Sequence, residues 1–382
     1  MTRPPPRGWC PTAERPMASG DGLIMRLRPP MGRIETPVLR RLIRAAARHG
    51  SGIVEVTSRA SLQLRGVSEA SHPALLAECA DLGLVPATPM NGAGLTVQPF
   101  WREGDGTGAL ANTILKTLSE LPSLPAKFGV SVDQGENPVL SEISADIRIE
   151  RSENGGLIVR ADGAPTGRAV PDDRIAEAVA ALALWFLGTD GPRLGRMQGH
   201  IQSNGIPSLF QGTKPRSSTI SGLGPTTLGP IIGLPFGQAT ASELESLLNA
   251  VSPTAIRLTP WRALLLEGAS DAPIPAGFIT SADDPLARVE ACPGAPACPS
   301  ASVVTRPLAR AIANAMPQGQ EGRLHVSGCA KGCARPTEAD IVLVGRDGAF
   351  DLVRSGHAWD TPVRQGLAPD EAALIGAIRG DA

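Results

Sequence analysis

The apolar residues of this chain fall into short blocks separated by Gly, Pro and polar turns, and the period within each block predicts its element. LIMRLRP, from Leu23, alternates as a strand does, and in TPVLRRLIRAAARHG the residues Val38, Leu39, Leu42, Ile43 and Ala46 share one face of a helix. Gly50 and Gly52 end that helix. GIVEVTSRASLQLRGV then predicts two short strands joined at Ser58, and a second helix runs around Leu75 to Leu82. Strand, helix, two strands and helix make a small α+β unit of ferredoxin-like character. The Pro-rich lead-in RPPPRGWCPTAERPMASGDG carries no amphipathic period and reads as extended chain.

The same order returns later. IIGLPFGQATASELESLLNAV and TAIRLTPWRALLLEG match LRPPMGRIETPVLRRLIRAAA and GIVEVTSRASLQLRG, with Gly32 to Gly237 and Leu39 to Leu244 at an offset of 205 and Thr57 to Thr259 and Gly66 to Gly268 at 202. KFGVSV and ADIRIE likewise recur as RLHVSG and ADIVLV, with Asp146 matching Asp340 at an offset of 194. The chain therefore reads as a duplication in which small and larger modules alternate. The expected bounds are a lead-in at 1–20, a ferredoxin-like half-domain at 21–88, an α+β module at 89–200, a second half-domain at 201–272 and a second module at 273–382. Such a duplication places a groove on a pseudo-two-fold axis between the halves.

Composition narrows the function. The chain has 382 residues and a formal net charge of −1, so no global field draws it to nucleic acid or to an anionic membrane. The first thirty residues lack the apolar core of a secretory signal. The longest apolar run, AVAALALWFLG, falls short of the roughly twenty residues a membrane span needs. A cytoplasmic protein with reduced thiols is expected. Of the six cysteines, Cys79 sits in a helical pattern and reads as a small core residue, while Cys10 has no evident part.

The remaining four form two pairs in Gly/Pro-rich turns of the second large module, Cys292 with Cys298 as C-x5-C and Cys329 with Cys333 as C-x3-C. Core cysteines would be scattered among apolar neighbours, and structural zinc favours gaps of two to four residues within each pair. A 4Fe-4S cluster suits four soft thiolates on irregular backbone. The quadruple spacing, with a helix between the pairs and the strand-like ADIVLVG after them, resembles the cluster motif of the siroheme nitrite/sulfite reductase family.

The resemblance extends over nearly the whole chain. It implies a duplicated α+β nitrite/sulfite reductase architecture with two ferredoxin-like half-domains, a flat tetrapyrrole in the groove, and a cluster held by Cys292, Cys298, Cys329 and Cys333, the last bridging to siroheme iron in the reductases. A uroporphyrin-type macrocycle carries about eight carboxylates, which arginine forks hold bidentately. Arg26, Arg28, Arg33, Arg59 and Arg65 lie near the first strands, and Arg26, Arg28, Arg59 and Arg65 are the expected ligands. TSRASLQ is similar to the family's T-x-R-x-x-x-Q element, which gives Arg59 a catalytic place on the macrocycle's distal side; Lys127 in LPAKFGVSV matches the first lysine of its anion-binding pair.

The departures are informative. Gly129 stands where the second lysine would be, and MNGAGLTVQPF around Asn91 lacks a second distal arginine. With that cation cage halved, reduction of a small anion fits less well. CPTAERPMASGDGLIMRLRP and ACPGAPACPSA resemble instead an oxygen-dependent branch of the family that hydroxylates precorrin-3A at C20 and closes a γ-lactone in aerobic cobalamin biosynthesis. A siroheme-dependent sulfite or nitrite reductase is the alternative, and a non-catalytic iron–sulfur carrier is a third class.

That branch implies O2 as co-substrate and a non-haem iron beside the cluster. His49, His72, His200, His325 and His357 form no two-His-one-carboxylate spacing, and His325, just before Cys329, stands nearest. GLGPTTLG and NGAGLTVQ do not sit between a strand and a helix as a dinucleotide turn must. The electron donor is therefore expected to be external, a ferredoxin or an NAD(P)H-dependent reductase.

Overall fold

The computed structural model describes residues 4, 10–85, 93–218, 222–315 and 322–380, which form an α+β fold with four sheets. In the first sheet Gly22–Leu27, Leu62–Val67 and Ile53–Val56 pair antiparallel, and Met25, Leu27, Val54, Val56, Leu62 and Leu64 are buried. Helix Thr36–His49 lays Leu39, Leu42, Ile43, Ala45 and Ala46 into the core, with Val38 packed at its margin. Each buried Leu or Ile of this stripe contributes about 1.5–3 kcal/mol, so it holds the helix in place. Helix His72–Asp81 follows, with Cys79 fully buried and its thiol pushed up by burial to about 12, an unreactive packing residue.

The small sheets exchange strands, which the periodicity did not reveal. Arg33–Glu35 pairs not with its own half but with Ala255–Leu258, at the edge of a sheet completed by Ala263–Glu267 and Ile231–Gly233. In return Gln238–Thr240 closes the first sheet beside Ile53–Val56. Arg33 and Gln238 are related by the same offset of 205 as Gly32 and Gly237, so the exchange is reciprocal. Arg33 clamps it, donating to Glu267 at 3.0 and 3.2 Å, and Arg257 shares that carboxylate at 2.7 Å. Leu39 and Leu42 share one core with Leu244, Leu247 and Leu248 of helix Ala241–Val251.

The repeated turns keep the same backbone. Met31 and Phe236, at φ 54° and 59°, and Ala60 and Arg262, at 48° and 56°, are non-glycine residues in the left-handed region at matching positions.

Each larger sheet runs parallel, parallel, antiparallel, antiparallel. One comprises Gly94–Val97, Gly129–Asp133, Ile147–Arg151, Leu157–Ala161 and Arg168–Ala169; the other comprises Val289–Ala291, Leu324–Ser327, Ala339–Arg346, Ala349–Gly356 and Arg364–Leu367. Helices Thr107–Glu120 and Arg306–Ala315 make the first crossover in each. Asp146 accepts the Gly129 amide at 2.9 Å, and Asp340 accepts the Arg323 amide at 2.7 Å, one contact repeated at the offset of 194. Separate cores gather around Phe128, Ile147 and Phe186 and around Leu324, Leu343 and Phe350. The run AVAALALWFLG forms most of helix Ile175–Leu187, and among the described residues no helix is long and apolar enough to cross a membrane.

Candidate active site

Where the first small sheet meets the second large module, a cleft of about 430 Å³ opens, and Cys292, Cys298, Cys329 and Cys333 all line it. Cys292 leaves the edge strand Val289–Ala291 into the interior, and its Sγ accepts the Gly328 amide at 3.1 Å. The two cysteine loops close on each other because their contact residues are small. A Cβ on Gly328 would stand 2.5 Å from that of Ala301, and one on Gly294, at φ +69°, would stand 2.5 Å from Thr305 Oγ1. Lys331 donates to Ser300 Oγ at 3.0 Å and ties the second loop to the first.

Burial pushes the Cys292 thiol up despite the amides of Gly328 and Gly294, and the neighbouring Cys329 and Cys298 push it the same way. Negative charge on these sulfurs therefore needs a cationic centre to neutralise it. All four thiols line the one cleft, and among the described residues no three His, Cys, Asp or Glu side chains converge as a site for one ion requires.

The cleft also takes Arg26, from strand Gly22–Leu27, and Lys127, from the loop before Gly129. Arg26 donates to Gln63 Oε1 at 2.5 and 3.2 Å, and Gln63 in turn donates to Glu55 at 3.0 Å. Arg28 and Arg59 stand beside the lining rather than on it, although Thr57 and Ser58 of the Arg59 turn do line it. Arg28 donates to the Ala93 carbonyl at 3.5 Å and Arg59 to Ser144 Oγ at 3.1 Å, a hydroxyl that Arg196 also reaches at 3.0 Å. Burial lowers the pKa of Arg28 and of Arg59, and nearby guanidinium groups lower it further, Arg26 for the first and Arg196 for the second. None of Arg26, Arg28, Arg59 and Lys127 pairs with a carboxylate among the described residues. Clustered like charges without a counter-ion are what an anionic ligand would complete.

Arg65, expected beside them as a ligand, differs. It lines the cleft at 3 % side-chain exposure but is held by Asp21 at 2.8 and 2.9 Å and by Glu55 at 3.4 Å. Burial alone would lower its pKa, yet Glu55 and Asp21 raise it above the ordinary value. Its charge is already neutralised, and its donation to the Ala297 carbonyl at 3.3 Å pins the first cysteine loop to the sheet. Arg33 lies at the strand exchange, away from this lining.

Sequence reasoning missed Glu55 and Arg306. Burial would raise the pKa of Glu55, but Arg306, at 2.8 Å, and Arg65 hold it below the usual carboxylate range. The available signal was a glutamate between two valines of a buried strand, Val54 and Val56. Cys10, without an evident part in the sequence, lines the cleft. The Asn91 segment, 86–92, lies outside the described residues.

Four of the five histidines have local partners: His49 with Glu78, His72 with the Ala13 carbonyl, His200 with Thr189, and His357 with Asp360. His325 is fully buried, and neither of its ring nitrogens has a hydrogen-bond partner among the described residues. No iron-binding trio emerges from them.

Residues 15–82 match the family model described as the nitrite/sulfite reductase ferredoxin-like half domain. A Sinorhizobium protein named precorrin-3B synthase is 32 % identical over 397 residues, spanning 93 % of this chain and 84 % of that protein. A ferredoxin–nitrite reductase of Synechococcus elongatus is 24 % identical over 88 % of this chain and 78 % of its own. Among solved structures, Mycobacterium tuberculosis NirA superposes with a TM-score of 0.66 at 18 % identity, covering 93 % of this chain and 79 % of that one, a likeness of fold.

Proposed function

Because this chain belongs to the precorrin-3B synthase family, built on the nitrite/sulfite reductase ferredoxin-like fold, we propose that it hydroxylates precorrin-3A at C20 with closure of a γ-lactone, a step of aerobic cobalamin biosynthesis. The observation that carries this reading is one cleft that combines four thiols with cations that pair with no carboxylate among the described residues, Arg26 and Lys127 on its wall and Arg28 and Arg59 beside it. The same reading takes the chain as a duplication with the module bounds expected from the sequence and places it in the cytoplasm; the paired left-handed turns and reciprocal strands support the duplication.

The thiols fit a 4Fe-4S cluster. Four soft donors line one cleft, and a backbone amide points at Cys292 Sγ. Such a cluster supplies electrons one at a time. Cys292, Cys298, Cys329 and Cys333 would hold it. Arg26, Arg28 and Arg59 would bind and orient the polycarboxylate macrocycle, and Lys127 would present a proton-bearing cation at its face. Glu55 keeps Arg306 and Arg65 fixed so that the two sides of the cleft stay in register. A non-haem iron belongs to the same reading.

The reaction adds one oxygen atom of O2 to the macrocycle, and two electrons and two protons from an external ferredoxin or NAD(P)H-dependent reductase convert the other to water. Anaerobically purified protein is expected to contain four iron and four sulfide, with any mononuclear iron in excess, and to convert precorrin-3A to a product heavier by one oxygen atom, labelled from 18O2. Stoichiometric siroheme with reduction of sulfite or nitrite would instead establish the reductase. A chain with the cluster but no affinity for tetrapyrroles would be an electron carrier.

A further inference from the structure

The turn after strand Ala255–Leu258 contains the least expected cation in the cleft. Thr259 opens it, with its amide on the Ala263 carbonyl at 3.1 Å, as the Thr57 amide bonds to the Ser61 carbonyl at 2.9 Å in the first half. Both turns need a residue in the left-handed region, Ala60 at φ 48° and Arg262 at φ 56°. That conformation costs a non-glycine residue about 1–2 kcal/mol, and Ala60 shows that the turn itself asks for no long side chain. The arginine at this strained position is therefore explained by where its side chain goes.

It goes to the cysteines. Arg262 lines the cleft with Cys329 and Cys333, and its Nη2 donates to the carbonyl of Ala334, the residue after Cys333, at 2.6 Å. Gly237 lets its stem pass: a Cβ there would stand 3.0 Å from Arg262 Cδ. Among the described residues no carboxylate pairs with it, and one bond to a carbonyl leaves the rest of a five-donor fork available. Burial lowers its pKa, Glu290 and Glu55 oppose that, and Arg306 and Arg335 add to it.

We infer that Arg262 is a specificity-determining residue that receives a carboxylate of the macrocycle at the thiol end of the cleft. This rests on the macrocycle reading above and deepens it. Arg26 comes from the first half and Arg262 from the second, so a polycarboxylate seated between them meets a cation from each copy of the repeat.

The test titrates the cluster-loaded protein with uroporphyrin III, an octacarboxylate, following quenching of tryptophan fluorescence, with iron and sulfide measured on each sample. Arg262→Gln keeps a donor for the Ala334 carbonyl and removes the charge. It is expected to bind at least about tenfold more weakly at unchanged iron and sulfide, the loss of a charge-assisted bond. Arg262→Lys is expected to stay within about threefold of the parent, because the charge remains. Unchanged affinity in Arg262→Gln overturns the inference while leaving the proposed function standing. Loss of iron from Arg262→Gln also overturns it, making the residue a loop anchor. Failure of the parent protein to bind uroporphyrin III sinks the macrocycle reading itself.

Discussion

Cys329 and Cys333 flank the segment that Lys331 ties to Ser300, and a centre held by both cysteines would fasten that loop further. Replacing either by Ser is expected to abolish the visible cluster absorbance and to lower the urea midpoint, because metal binding and folding are coupled; a variant with full iron and sulfide would remove that residue from the ligand set. Arg26→Ala and Arg59→Ala should each weaken uroporphyrin binding by about 1.5–3 kcal/mol without loss of iron, and an unchanged titration would exclude the residue concerned. His325 carries a pH signature. Burial, helped by Arg335, Arg262 and His357, pushes its pKa down to about 3, so the fold accepts only the neutral ring. The unfolded chain takes up a proton below about pH 6.5 and the folded one does not, so stability is full above that pH and falls by roughly 1 kcal/mol per unit as pH drops towards 3. His325→Gln should flatten the dependence of the urea midpoint between pH 7.5 and 5; an equal slope in the variant would refute the assignment. That the four cysteines reach one cleft was legible because their signal is local spacing, whereas Arg59 stands beside that lining and only Thr57 and Ser58 of its turn lie on it. Glu55, Arg306 and Arg262 were not legible, since their partners lie 251 residues from Glu55 in the case of Arg306 and 72 residues from Arg262 in the case of Ala334.

Loops and strands respond to shape more than to charge. Gly328→Ala would drive a methyl against Ala301 at 2.5 Å, with Gly294 Cα at 3.2 Å behind it, and neither can yield without separating the cysteine loops. A loss of about 1–3 kcal/mol in the unfolding free energy of the loaded protein, read by urea titration, is expected from such overpacking, with reduced iron occupancy; full stability and occupancy would show that the loops have room. The helices were readable from their apolar stripes, and Thr36–His49 buries Leu39, Leu42, Ile43 and Ala46 as the period required. Strand pairing was not. A periodic block tells which residues face inward, whereas the partner of three residues such as Arg33–Glu35 is set by a clamp, Glu267, more than two hundred positions away.

At the scale of the molecule, the two small sheets hold one another shut. Hydrogen exchange should therefore protect the amides of Ile53–Val56 and Ala255–Leu258 with one shared opening free energy, since removing either exchanged strand exposes both sheets. Much faster exchange in one sheet would show that they open independently. The repeat offsets made the duplication visible, and the larger sheets kept the strand order that those offsets imply. The strand exchange has a consequence for origins. A protein of half this length would carry its edge strand with nothing of its own to complete the sheet, and two identical copies would have met that need by swapping the segment, as symmetric dimers do. Joining two such halves in one chain makes a concentration-dependent meeting permanent. It also lets one turn carry a plain alanine, Ala60, while its twin carries Arg262, a division of labour that a symmetric pair could never hold.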